Sequence, residues 1–196
     1  MSRFTVLLAS HDRLEFLQQS LASALQQEPR GFQILVVDDG SGADTRAWLK
    51  AKAEEEDSLR VVFTENLGVA SARQRGLEEA STPWVCILDS DDLLLPGALA
   101  RIAQVVGNTP ETDLVYVDNR HLFPDGSWED RPYPRYPDNP AMVRAILLRP
   151  RIPFKHSGTA MKREVVLELG GTTGIFLLRW MSTSSFGSWA GGKISN

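Results

Sequence analysis

The chain of 196 residues contains one cysteine, so no internal disulfide can form. Cys86 sits in the apolar run "WVCIL" and reads as a small core residue rather than a nucleophile. No apolar stretch approaches the roughly 20 residues needed to cross a bilayer. The opening "MSRFTVLLASHDR" meets charge too early for a signal peptide. A cytoplasmic location is the expectation, with peripheral attachment to a membrane left open. Positive charge is not in excess: 21 Lys and Arg face 25 Asp and Glu, for a net charge of −4. A nucleic-acid partner is therefore not expected. There is no internal repeat and no low-complexity block. The last absence is local. After Glu168 the remaining 28 residues contain no Asp or Glu, where a similar composition predicts about four.

What is present is an alternation of short apolar runs with longer amphipathic ones. Runs rich in β-branched residues fall at 3–9, 32–38, 60–64, 84–89 and 113–118. Helical patterns lie between them at about 13–27, 43–56, 69–80 and 96–107, the last with Pro96 as a first-turn residue. This predicts an α/β fold: an open, mostly parallel sheet flanked by helices. Beyond residue 118, "FPDGSW" reads as a turn between two antiparallel strands. Helical character returns at 139–148 and 163–169.

In open α/β sheets ligands bind outside the carboxyl ends of the strands. Two runs expected to be central end in acid: Asp38 and Asp39 in "VVDDGSG", and Asp89, Asp91 and Asp92 in "ILDSDD". Five carboxylates converging on one crevice repel one another unless a cation enters. A hard divalent ion, Mg²⁺ or Mn²⁺, is the natural one, and it would in turn hold nucleotide phosphates. The plainer alternative is capping, with Ser41 or Asp44 closing the helix that follows. "GSGADT" starts like a dinucleotide-binding turn but has Thr45 where the third glycine belongs.

The stretches "TVLLASHDRLEFLQQSLASALQQ", "ILVVDDGSGADT", "ENLGVASARQRGLEEASTPWVCILDSDDLLLPGAL" and "SGTAMKREVVLELGG" together resemble the GT-A fold glycosyltransferases of the inverting family-two type. They span most of residues 3–171. The resemblance implies a nucleotide-diphospho-sugar donor, a divalent metal and an acceptor hydroxyl on a carbohydrate or lipid-linked carbohydrate. It implies base contacts from Ala9, His11 and Asp39, with Asp38 beside them in the donor set. Within "NLGVASARQRG" it places Asn66, Gly68, Arg73 and Gly76, with Gln74 where Asn is usual, and gives Arg73 the diphosphate. The D-x-D motif is Asp89-Ser90-Asp91. Asp91 or Asp92 would take the metal, and Asp89 the sugar or ribose.

By the same resemblance, residues 1–118 form the donor half, 119–171 the acceptor side, and 172–196 an atypical tail. Family members carry an acidic segment after "LGG" that supplies the base. Here "WMSTSSFGSW" stands instead, and a shifted reading frame through it can encode Asp-Val-Asp-Val-Glu-Phe-Arg-Val-Leu. His156 is a candidate substitute for the base. The alternatives are a catalytically silent nucleotide-sugar binding domain or truncated fragment, and a sugar-phosphate nucleotidyltransferase. The last is disfavoured because "ASHDRLEF" lacks a Gly-rich basic loop.

Overall fold

A computed structural model describes residues 3–28, 31–137, 139–148 and 154–172. In chain order the elements are β1 (Phe4–Ser10), α1 (Leu14–Leu25), β2 (Gln33–Asp39), α2 (Ala43–Glu55), β3 (Leu59–Thr64), α3 (Val69–Glu79), β4 (Trp84–Asp89), α4 (Ala98–Asn108), β5 (Leu114–Val115), β6 (Asn119–Leu122), β7 (Trp128–Arg131), α5 (Asn139–Leu148), β8 (Ala160–Lys162) and α6 (Arg163–Glu168). Six strands form one sheet in the order β3-β2-β1-β4-β8-β5, and β6 pairs with β7 in a separate hairpin. β3, β2, β1 and β4 run parallel. β8 is antiparallel to both β4 and β5.

The apolar runs are continuous because both faces of the sheet are covered. Alternate residues Val6, Leu8, Val36, Cys86 and Leu88 pack with Leu17 and Leu21 of α1, Leu49 of α2 and Ile102 of α4. The intervening Leu7, Leu35, Val37, Val85 and Ile87 pack with Ala72 and Leu77 of α3 and Val166 of α6. A Cβ on Gly76 would strike the Leu7 side chain, so glycine lets α3 lie close against β1. Cys86 is fully buried and its thiol pKa is pushed up to about 12 by burial, consistent with a core residue and not a nucleophile. A third cluster, Leu114, Tyr116, Met142, Phe154 and Leu169, closes the β5 side.

Four details depart from expectation. The apolar run at 113–118 yields only a two-residue strand, because β8 has a short pairing edge and Tyr116 turns into the third cluster. β8 has no separate apolar signal in "TAMK", since three residues are too few to show a period. Pro96 precedes α4 instead of opening it: the N-cap is Gly97, in the left-handed region at φ 77°. Neither Ser41 nor Asp44 caps α2, whose N-cap is Gly42 without a side-chain cap; Asp44 lies in the first turn.

The Pro-Asp-Gly turn joins β6 and β7 as expected, with Phe123 N donating to Ser127 O at 2.8 Å. No helix among the described residues is long and apolar enough to cross a membrane.

Candidate active site

The register of the sheet decides which acids meet. Ala9 of β1 lies opposite Val37 and Asp89, and Ser10 lies opposite Asp38. Side chains alternate along each strand, so Ala9, Asp39 and Asp89 share the face covered by α3. Asp38 points to the other face. The helix α3 starts beside this edge and adds Ala72 and Arg73. The result is a cleft of about 380 Å³ lined by Ala9, Ser10, His11, Arg13, Asp39, Val69, Arg73, Asp89, Ser90 and Asp91, among others. That volume is in the range of small-molecule sites, about 300–1,000 Å³.

Six residues singled out from the sequence, Ala9, His11, Asp39, Arg73, Asp89 and Asp91, line this cleft. Asp38, Asn66 and Asp92 do not. The expectation of five converging carboxylates is thus corrected. Asp38 is fully buried; its Oδ2 accepts Ser41 N at 3.3 Å and Arg46 Nε at 3.0 Å, and Arg46 Nη2 continues to Thr64 O at 2.9 Å. It ties α2 to the sheet. Asn66 acts one step back, donating through Nδ2 to His11 Nε2 at 3.2 Å. Asp92 closes the turn, its N–H donating to Asp89 O at 3.0 Å.

Asp39 organises the loop before α3. Its Oδ1 accepts Leu67 N at 3.0 Å and Thr64 Oγ1 at 3.2 Å, and its Oδ2 accepts Gly68 N at 2.8 Å. The loop passes so near that a Cβ on Gly40, itself at φ 80°, would lie 2.7 Å from Asn66 N. Only glycine tolerates both conditions.

Charges in the cleft are arranged in two pairs. Arg73 donates to Asp89 Oδ1 at 2.5 Å, largely shielded from solvent, and Arg13 donates to Asp91 Oδ2 at 2.6 Å, about half exposed. His156, 67 residues from Asp89 in sequence, lies close enough to feel both Arg73 and Asp89. Its pKa is lowered, first by desolvation and then by Arg73, with Asp89 opposing. The residue as a whole is exposed, although neighbouring atoms desolvate its imidazole. Desolvation and Arg73 both favour the neutral imidazole.

Sequence reasoning missed two contributions. Arg13 was hidden as one cation in "SHDR". Ser20 and Ser23 of α1 and Gln27 just beyond its end, the first and last of them buried, clamp the loop after β4. Ser20 Oγ donates to Asp89 O at 3.1 Å, Ser23 Oγ accepts Leu94 N at 3.0 Å, and Gln27 donates to Leu95 O at 3.1 Å and accepts Leu99 N at 3.2 Å. Ser20 and Ser23 share one stripe of α1 and Gln27 follows just past its end, and that 20, 23, 27 spacing was the available signal. On the other side, Ser157 Oγ accepts Asp89 N at 3.2 Å.

A metal can be tested against these residues. No group of three His, Cys, Asp or Glu among the described residues forms a ready cage. Mg²⁺ and Mn²⁺ sites that use one or two carboxylates and are completed by substrate phosphates need none. Asp91, half exposed, already drawing a cation and followed by Asp92, fits that kind of site. A larger hollow of about 630 Å³ lies at the amino ends of the strands, among Leu25, Phe32, Trp48 and Lys52. Its lysine, Lys52, is paired with Glu55 and Glu56 of its own helix, and the hollow stands at the wrong end of the sheet for an α/β ligand site.

The model of the family described as "Glycosyl transferase family 2" matches residues 5–170. The chain belongs to that family. A succinoglycan biosynthesis protein, ExoU, of Rhizobium meliloti is 32% identical over 98 residues, covering 50% of this chain and 28% of that protein. A GalNAc(5)-diNAcBac-PP-undecaprenol beta-1,3-glucosyltransferase of Campylobacter jejuni is 29% identical over 106 residues, covering 53% and 34%. This family 2 chain thus spans about a third of the length of these curated relatives. Among solved structures, the mannosyltransferase PcManGT of Pyrobaculum calidifontis, in complex with GDP-Man and Mn²⁺, superposes with a TM-score of 0.69 at 19% identity over 98% of this chain and 55% of that one. TarS 1-349 of S. aureus in complex with UDP-GlcNAc gives 0.67 at 16% identity, covering 100% and 60%. The fold is that of these GT-A transferases.

Proposed function

We propose that this family 2 domain is the donor-binding part of a metal-dependent, inverting glycosyltransferase, taking a sugar from a nucleoside-diphosphate donor to an acceptor hydroxyl. The observation that carries the reading is the cleft at the carboxyl ends of β1, β2 and β4. There Arg13 and Arg73 meet Asp89 and Asp91, beside the fixed carboxylate of Asp39. The GDP-Man and Mn²⁺ held by one fold relative, and the UDP-GlcNAc held by another, support it.

In this reading Ala9, Asp39 and the His11 ring, steadied by Asn66, receive the base. Arg73 turns its guanidinium fork to phosphate oxygens, a geometry suited to that group. Asp89 binds ribose or sugar hydroxyls. Asp38 serves the scaffold through Arg46. Asp91, with Asp92 beside it, would hold Mg²⁺ or Mn²⁺ together with the donor phosphates, and the ion supplies charge stabilisation to the leaving diphosphate. The acceptor oxygen bonds to the anomeric carbon from the face opposite the diphosphate. The carbon–oxygen bond to the phosphate breaks, its electron pair leaves with the diphosphate, and the acceptor proton passes to a base.

In this reading His156, whose pKa is lowered by desolvation and Arg73 and which feels the charge of Asp89, is the candidate among the described residues for taking that proton. The tail segment whose family counterpart carries the base lies outside the described residues. A domain of this kind would work in the cytoplasm, at or near a membrane when the acceptor is lipid-linked.

A second reading, a nucleotide-sugar binding domain without turnover, is favoured by the lack of Asp and Glu after Glu168. Incubation with UDP-, GDP- and dTDP-sugars, Mn²⁺ and a panel of glycoside acceptors, followed by assay of released nucleoside diphosphate, separates the two. Release above the protein-free rate is expected. Binding without release supports the silent domain, and neither binding nor release overturns both.

A further inference from the structure

The β6–β7 hairpin projects from the sheet with little to cover it. β5 runs parallel to β4, so the chain leaves β5 at the same edge that carries the cleft. The hairpin is fixed at its root. Asp118 accepts Tyr133 N at 2.9 Å and Arg135 Nη2 at 2.6 Å, Asn119 donates to the Tyr133 hydroxyl, and Tyr116 Oη donates to Pro134 O at 2.7 Å. Tyr133 also feels the negative charge of Asp92.

The register puts Leu122 opposite Trp128 and Arg120 opposite Asp130, so these four side chains share one face of the hairpin. Trp128 is 53% exposed and Leu122 60%. The Arg120 guanidinium stacks 3.5 Å from the Trp128 ring centroid, while its Nε donates to Asp130 at 2.9 Å. An isolated two-stranded hairpin is marginal in water, and an exposed Trp on it adds little to its fold. Stacking on Arg120 does restrict the ring, so the ordering cost of binding a ligand there is lowered in advance.

We propose that this face, Trp128 with Leu122, Arg120 and Asp130, is a platform for a pyranose ring of the acceptor; the assignment rests on the glycosyltransferase reading above. A pyranose has one apolar C–H face, matched to an indole and a leucine, and a rim of hydroxyls. Arg120 has five N–H donors, of which Asp130 engages one, and the carboxylate accepts from hydroxyls. A flat apolar surface edged by planar hydrogen-bonding groups suits a sugar better than a lipid chain, which offers no hydroxyls to Arg120 and Asp130.

The test follows the indole N–H signals of ¹⁵N-labelled full chain by NMR, with the Trp128 signal identified by its loss in Trp128→Phe. Methyl glycopyranosides of glucose, galactose, mannose and N-acetylglucosamine are titrated singly. In parallel UDP, GDP and dTDP are titrated with Mn²⁺. At least one glycoside should shift the Trp128 signal saturably. By glycoside-detected NMR, Trp128→Ala should weaken its binding about tenfold, whereas Trp128→Phe keeps most of it. Nucleotide affinity should be the same in all three proteins. No shift of Trp128 with any glycoside overturns the platform whatever the nucleotides do, as does a shift caused only by anionic lipid vesicles or by raising protein concentration. Glycoside binding at Trp128 without nucleotide binding leaves the platform standing and overturns the donor reading instead.

Discussion

Asp38 and Asp39 are adjacent in sequence, both are almost wholly buried, and they do opposite work. Asp38 faces α2 and is tied to Arg46. Asp39 faces α3, holds the backbone of the loop that leads into that helix, and lines the cleft. The difference is the two-residue period of β2. A pair of acids at a strand end delivers one to the scaffold and one to the site, and the sheet's register with β1 decides which is which.

Substitutions sharpen that contrast. Asp38→Ala removes a buried carboxylate and its bonds to Ser41 N and the partly exposed Arg46, and should cost about 2–3 kcal/mol of stability in denaturant unfolding. The nucleotide affinity of the protein that remains folded should be unchanged. Asp39→Asn replaces an acceptor of three hydrogen bonds with a group that must present one N–H to the loop. It should cost about 2 kcal/mol and also weaken nucleotide binding about tenfold by calorimetry. Equal effects of the two changes on nucleotide affinity would erase the distinction between the faces.

The Arg13–Asp91 pair extends the comparison to the far side of the cleft. It is half exposed and contributes about 0–1 kcal/mol, yet it occupies the acid assigned to the metal. Arg13→Ala should therefore tighten Mn²⁺ binding in the absence of nucleotide by about two- to fivefold, read by electron paramagnetic resonance of free Mn²⁺. The smallest effect concerns His156. Its folded pKa is lowered, so the unfolded chain binds the proton more readily. Stability contributed by keeping it neutral is present above the ordinary histidine pKa, about 6.5, and is lost as pH falls from there through the lower folded value. His156→Gln should flatten the stability profile in that window and leave it unchanged above pH of about 8.

The parallel half of the fold was legible because its strands are long enough to show continuous apolar runs and its helices long enough to show amphipathic ones. The antiparallel addition, β8, was not, since three residues carry no period. At the site, the acids announced themselves by clustering at strand ends, but which of them meet is set by side-chain alternation and register. That is why Asp38 was grouped with residues it does not join. The clamp formed by Ser20, Ser23 and Gln27 was obscured because uncharged polar residues suit exposed positions on and after a helix equally well. Arg13 drew no attention because a single arginine at a helix start is ordinary; its meaning lies in Asp91, 78 residues away.

The central claim is that the cleft between Asp39, Arg73 and Asp91 binds a nucleoside diphosphate together with a divalent ion. Calorimetric titration of UDP, GDP and dTDP, each with and without Mn²⁺, into the native chain and Asp91→Ala tests it directly. The account predicts that at least one nucleotide binds in a Mn²⁺-dependent manner and that Asp91→Ala abolishes that dependence. Binding by none of the three to folded protein, or binding that is equally Mn²⁺-dependent in Asp91→Ala, would contradict it.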